Sequence, residues 1–376
     1  MRRGFGICGI GAALRLEFSG PTRFQDAATA WHEIAAAATV DDPLGLPGTG
    51  LVALGSFAFA DTSMATSVLI VPSIVIGRSS GRHWITRIGV EEIPPAPAMA
   101  PLADHEPVAF QPGALSLEGY RAAVGTAIER IRDGELSKVV LARDLVGKLP
   151  DGADVRPVIQ ALADSYPACW TFAVDGLVGS SPETLVSVDH SAVTARVLAG
   201  SAARGIDAAS DQEAAAALAS STKDQDEHEY AVQSVLAALA GHSARVTASE
   251  VPFTLKLPNL WHLASDIEAE LTDGSTSLDL LSALHPTAAV AGAPTAAALT
   301  VIDELEPFDR GRYAGPVGWV GADGDGEWAI ALRCAQVASY GTVTAHAGAG
   351  IVADSVPDHE LVETRMKFRP IIEAFG

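Results

Sequence analysis

The stretch from residue 168 to 200 most constrains how this chain can fold. "ACWTFAVDGLVGSS" (168–181) places two apolar runs on either side of Asp175-Gly176, a dipeptide suited to the positive-φ positions of a tight hairpin turn. "TLVSVDHSAVTARVLAG" (184–200) follows at once and reads as a second hairpin. Hairpins join antiparallel neighbours. "GPVGWVGADGDGEWAIALRCAQV" (315–337) and "TVTAHAGAG" (342–350) form a late antiparallel set, and "SKVVLARDLVG" (137–147) is a further strand. The helical patterns stand apart from these runs. "LEGYRAAVGTAIERIRDGEL" (117–136) is amphipathic and stops at Gly134. An alanine-rich helix is expected from about 208 to 240, and a last helix from about 356 to 373. Strands grouped apart from helices indicate an α+β fold with large antiparallel sheets.

Residues 1 to about 90 read as short β-like runs with alanine-rich helical pieces. The start, "MRRGFGICGIGAALRLEF", is too broken by glycines and Arg15 for a signal peptide and reads as a strand of the mature protein. The stretch 91–114 is proline-rich and patternless, either a linker or a long surface connection. No run is long enough to span a bilayer. With a net charge of −21, neither nucleic acid nor an anionic membrane is the expected partner. A small anionic substrate would need local cations, helix ends or a metal ion. The three cysteines form no framework, so a reducing, cytoplasmic location is expected.

Two motif matches fail on context. "GFGICG" (4–9) has neither a preceding strand nor a following helix, as a dinucleotide fingerprint requires. "DGDGEW" (323–328) starts like a calcium loop, but Trp328 and Cys334 stand where Gly and Glu are needed. It reads as a hairpin turn.

"KDQDEHE" (223–229) crowds Asp224, Asp226, Glu227 and Glu229 into six positions before a helical pattern. Acids at a helix start are ordinary, because the free N–H groups and the dipole favour them there. A second acidic set lies in "DHELVETRMKF" (358–368). Glu360 and Glu363 are three apart and share a face, with Lys367 four further on. "HAGAGIVADS" (346–355) reads as a glycine-rich turn leading into this last helix, where backbone amides could meet an anion.

At these positions the chain resembles the chorismate-utilising enzymes: isochorismate, salicylate, anthranilate and aminodeoxychorismate synthases. The matching stretches run in order from "KVVLAR" (138–143) through "SSPETLVSV" (180–188), "LAGSAARG" (198–205), "KDQDEHE" and "LPNLWHLASDIEAEL" (257–271). They continue with "LHPTAAVAGAP" (284–294), "ELEPFDRGRYAGPVGW" (304–319), "GEWAIALRCA" (326–335), "AGAGIVADS" (347–355) and "ELVETRMK" (360–367). The resemblance implies one chorismate-binding domain over 1–376, with a variable part (1–105) and a catalytic core (106–376).

It also implies site roles. Glu227 and Glu363, with Glu360 close by, would bind Mg²⁺, which holds the ring carboxylate of chorismate. Gly348, Gly350 and Lys367 would help hold that carboxylate, and Gly200 and Ser201 fall in the matching "LAGS". Arg333, assisted by Tyr313, would pair with the enolpyruvyl carboxylate. His262 matches an active-site histidine, though a core histidine is the plain alternative. Lys138, otherwise a charged strand end reaching solvent, would be the general base. Glu183, otherwise a turn or helix start capped by Ser181, would be the general acid. Anthranilate synthases lack this lysine, and aminodeoxychorismate synthases carry one in place of Ala199. Lys138 with Ala199 therefore implies water as nucleophile and no glutaminase partner. The implied function is isochorismate synthase, feeding siderophore, menaquinone or salicylate formation. Salicylate synthase and a non-catalytic chorismate-binding protein are the alternatives. Small Ala289 and Val290 favour isochorismate, and Tyr313 leans toward salicylate.

Overall fold

The computed structural model describes residues 1–89, 101–103 and 106–376. Two large sheets dominate it, and every strand pairing in them is antiparallel. The ten-stranded sheet is centred on Ala192–Ala203, Thr184–Asp189, Gly326–Ile330 and Pro316–Gly321. The seven-stranded sheet is centred on Lys138–Lys148, Thr342–Ile351, Cys334–Val337 and Leu177–Ser181. This is the expected α+β arrangement. No helix among the described residues is long and apolar enough to cross a membrane.

The two early hairpins form as read. Asp175 and Gly176 both take positive φ, 50° and 78°, and close the Trp170–Val174/Leu177–Ser181 pair. The strands on either side of Pro182-Glu183 belong to different sheets. The chain passes between the same two sheets again at Ala331–Arg333. The crossings lie side by side: Ile330 N donates to Glu183 O (3.2 Å), and Ser180 N donates to Arg333 O (3.1 Å). Two polar residues are thus placed where the sheets meet.

The N-terminal residues do not stand apart. Val52–Ser56, Ser67–Val71 and Leu14–Phe18 extend the ten-stranded sheet beyond Pro316–Gly321. Phe24, Phe57 and Trp328 share one core, with Phe24 stacked on Phe57 and Phe57 edge-on to Trp328.

Four expectations need correction. Residues 1–18 form two strands, Gly6–Ile10 and Leu14–Phe18, in different sheets; Gly11, at φ 69°, turns the chain between them. The helix expected over 208–240 is two helices, Ala208–Ser220 and Thr222–Leu239. Ser221 breaks them and caps the second, accepting from Asp224 N. "HAGAGI" is no turn but the end of the strand Thr342–Ile351; the turn before the helix Pro357–Phe375 starts only at Val352. Finally, Glu183 starts no helix. Of the proline-rich stretch, residues 91–100, 104 and 105 lie outside the described residues. "DGDG" is the expected hairpin turn, closed by Gly321 N donating to Asp325 O (2.8 Å).

Candidate active site

Where the two sheets meet, a narrow, partly enclosed cleft opens to solvent. Glu183, Arg333, His262, Tyr313, Glu227, Ser201, Gly200, Gly348, Gly350 and Lys367 all line it. Lys138 and Glu363 stand one layer behind, tied to the wall through Glu227 and Lys367, and Glu360 is held there by Lys223, four residues before Glu227 on the same helix. All thirteen candidate residues therefore gather in one place.

Glu183 is 3 % exposed. Burial lifts its pKa to about 7 against the pull of the Leu198 amide and the charges of Lys138, Arg333 and Lys367. Near neutrality this carboxyl can hold a proton and release it.

Lys138 has no exposed surface, so it is not a strand end reaching solvent. It opens the strand Lys138–Lys148, paired to Gly292–Ala293 on one side and to Thr342–Ile351 on the other. Its Nζ lies 3.3 Å from Glu227 Oε1 and donates to Glu227 O (3.4 Å). Gly350 makes this contact possible. A Cβ there would sit 2.0 Å from Glu227 Oε1 and 3.2 Å from Lys138 Cε. The two glycines expected to offer amides from a turn thus act as strand residues, opposite Val140 and Ala142. Lys367 donates to the Gly348 carbonyl (2.9 Å).

Arg333 has φ 49°, uncommon for a residue with a Cβ. Its guanidinium donates to His262 Nε2 (3.2 Å), and His262 Nδ1 faces Gly200 O at 3.1 Å. The carbonyl requires the proton on Nδ1, leaving Nε2 to accept. Burial, followed by the charges of Arg333 and Lys367, holds His262 neutral, well below the usual range. Tyr313 stacks on His346 at 5.3 Å, and burial lifts its phenol to about 12, so it stays a neutral donor. Neither the orienting role of His262 nor that of His346 was legible in the sequence. His346 in particular opens the "HAGAG" stretch, whose glycines and not its histidine carry the pattern.

Gly200, at φ 75°, is the extra residue of a bulge between Ala199 and Ser201, where the pairing to Leu260–Leu271 shifts register. The bulge turns Ser201 toward Glu363. Its hydroxyl is buried without a well-formed hydrogen bond. His228, within "EHE", clamps this bulge to the helix Thr222–Leu239. Its Nδ1 meets Ala199 O at 3.2 Å, and its Nε2 meets Ser265 Oγ at 2.9 Å. Nothing in the sequence marks it, because the acids on either side carry the local pattern. Asp226 and Glu229 are exposed helix-start acids as expected, while Asp224 is half-buried.

The buried pair Glu306–Arg310 (2.6 Å) fixes the remaining wall. Glu306 accepts from Ala142 N (2.7 Å), and Arg310 donates to Val140 O and Val290 O (2.7 and 2.9 Å). Its hydrogen bonds are met, as a buried pair requires.

Glu227, Glu360 and Glu363 supply only carboxylate oxygens, the donor type Mg²⁺ prefers, and that ion keeps several waters. They do not converge within 4.8 Å as a ready three-ligand set; among the described residues only Asp189, His190 and Asp325 do, at an exposed hairpin tip. Burial and then Glu363 raise the Glu360 pKa. Burial opposes ionisation of Glu363 too, but Lys367, 2.6 Å away, keeps it low. The donor chemistry and the buried, poorly bonded Ser201 hydroxyl fit a hydrated hard cation, provided the lysines yield.

A family model described as chorismate binding enzyme matches residues 1–92 and 96–376. Isochorismate synthase DhbC of Bacillus subtilis is 42% identical over 271 residues, 69% of this chain and 68% of that protein. The salicylate biosynthesis isochorismate synthase of Pseudomonas aeruginosa is 33% identical over 399 residues, 97% of this chain and 82% of its own. Among solved structures, DhbC of Bacillus anthracis matches with a TM-score of 0.82 at 30% identity, covering 100% of this chain and 95% of that one. Anthranilate synthase component I of Streptococcus pneumoniae shares the fold, with a TM-score of 0.79 at 23% identity over 97% of this chain and 91% of that one.

Proposed function

This chain belongs to the chorismate binding enzymes, and we propose that within them it is an isochorismate synthase, converting chorismate to isochorismate. One observation carries the reading. A carboxyl poised near neutrality, Glu183, shares a cleft with Glu227, behind which stands the fully buried Lys138. A pure binding protein has no use for such a pair. The names of the relatives support the same activity.

In this mechanism Lys138 takes a proton from water as its oxygen bonds to ring C2. The ring double bond shifts, and the C4–O bond breaks. Glu183 gives its proton to the departing hydroxyl, which leaves as water. One water enters and one leaves, so the change is an isomerisation and is reversible. Unlike environments for the two groups suit opposite tasks. Arg333, held by His262, pairs with the enolpyruvyl carboxylate, and Tyr313 stands beside it as a neutral donor. Lys367 lies toward the ring carboxylate. Glu227, Glu363 and Glu360 would hold Mg²⁺, which when bound supplies positive charge to that carboxylate. The nucleophile is water, so no glutaminase partner is required.

Ala289, Val290 and Leu332 make the adjoining wall apolar. This favours stopping at isochorismate over the further loss of pyruvate in a salicylate synthase. The test is separation of products after incubation with chorismate and Mg²⁺ near neutral pH. Isochorismate should build to a plateau beside chorismate, with little pyruvate. Equal amounts of salicylate and pyruvate, formed faster than isochorismate decays alone, would make the protein a salicylate synthase.

A further inference from the structure

Each carboxylate expected to hold the divalent ion already faces a lysine. Lys138 stands 3.3 Å from Glu227, Lys367 2.6 Å from Glu363, and Lys223 2.7 Å from Glu360. The first two lysines are anchored elsewhere, Lys138 on Glu227 O and Lys367 on Gly348 O. Lys223 differs. Among the described residues its ammonium makes one hydrogen bond, to Glu360. Its side chain is 31% exposed, against 0% for Lys138 and 15% for Lys367.

Lys223 also holds a central place. It lies four residues before Glu227 on the same helix, hence on the same face. It reaches across to Glu360 on the helix Pro357–Phe375. Glu360, Glu363 and Glu227 all act on its charge. One flexible ammonium therefore balances Glu360, in a cluster whose other two carboxylates face Lys138 and Lys367.

We propose that Lys223 is a resident counter-cation, which holds the carboxylates together in the ion-free protein and must swing away before a divalent ion can bind. This rests on the reading of Glu227, Glu360 and Glu363 as a Mg²⁺ site. A lysine suits the part: its charge is compact, and its four-carbon stem is flexible enough to move into solvent. While it remains, it occupies an oxygen of Glu360 and repels a doubly charged ion. Binding of the ion alone is thereby weakened.

The test is a titration of ion-free protein with Mn²⁺, following free Mn²⁺ by electron paramagnetic resonance, without chorismate. Lys223→Met keeps the stem and removes the charge; Lys223→Gln does the same if the Met variant folds poorly. Either should bind Mn²⁺ about ten- to a hundredfold more tightly than wild type. Lys223→Arg, which keeps the charge, should bind as weakly as wild type. The ion-free Met variant should also melt lower than wild type and gain more from Mg²⁺. Unchanged or weaker Mn²⁺ affinity in both neutral variants, with wild type binding measurably, would reduce Lys223 to an ordinary helix-to-helix ion pair. A wild-type protein that takes up no ion even with chorismate would instead overturn the metal reading, and this proposal with it.

Discussion

Lys138 Nζ lies 3.3 Å from Glu227 Oε1, joining a lysine with no exposed surface to a carboxylate on the cleft wall. The contact links the expected base to the expected ion site. Lys138→Ala should lower kcat by about 10²–10⁴-fold, the usual worth of general acid–base catalysis. Chorismate affinity should change far less, because Arg333 and Lys367 remain. Steady-state kinetics with a direct binding measurement check this. Turnover within about tenfold of wild type would place the base elsewhere.

Glu183 should leave its mark on the pH dependence of both activity and stability. As an acid it must be protonated, so kcat/KM should fall as pH rises through about 7. Glu183→Gln should abolish most turnover and remove that limb. The folded protein holds this proton more tightly than the unfolded chain, whose carboxyl titrates near 4.5. Its contribution is therefore fully present below pH 4.5 and lost as pH rises through about 7. The shift corresponds to about 3 kcal/mol. Glu183→Gln should thus gain stability over wild type at pH 8 but not at pH 4.5. Denaturant melts at the two pH values measure it, and an equal difference at both would contradict the account.

Much of this was legible in the sequence, for definite reasons. Asp175-Gly176 demands a two-residue turn, so its hairpin could be read directly. The spacing of Glu363 and Lys367 on one helical face gave the observed i,i+4 ion pair. Resemblance supplied the roles of Lys138 and Glu183; local pattern made one a strand end and the other a turn or helix start capped by Ser181. What hid them was sheet topology. The value of Glu183 comes from a crossing between two sheets, and no local pattern shows which sheet a strand will join. The glycines of "AGAG" were misread for a related reason. Gly350 is needed for the close approach of Glu227 from a helix more than a hundred residues away. His228 and His346 act through packing on other elements, which leaves no periodic trace.

Gly350→Ala isolates that close approach. The added methyl would fall 2.0 Å from Glu227 Oε1, so the carboxylate must move. Activity should drop by at least about tenfold, with a stability cost of about 1–3 kcal/mol. Gly125→Ala, at a helical position with nothing near a new Cβ, is the control and should keep activity. An active Gly350→Ala variant would mean that the placing of Glu227 does not matter.

Arg333→Ala should act mainly on binding. Charge-assisted hydrogen bonds are worth about 1.5–3 kcal/mol, so KM for chorismate should rise about ten- to a hundredfold, with a smaller fall in kcat. His262→Phe, which leaves the guanidinium in place but unheld, should raise KM less. Kinetics of both variants test the order, and a larger effect in His262→Phe would make the histidine a direct participant.

The central claim is that water attacks C2 while the C4 hydroxyl departs, and oxygen-18 reports it most directly. Chorismate is incubated with the enzyme and Mg²⁺ in ¹⁸O-water, and product is analysed by mass spectrometry at low conversion. The account predicts isochorismate carrying one ¹⁸O, located in the hydroxyl at C2. Unlabelled isochorismate would mean that the hydroxyl migrates within the substrate, leaving no role for Lys138 as a base toward water.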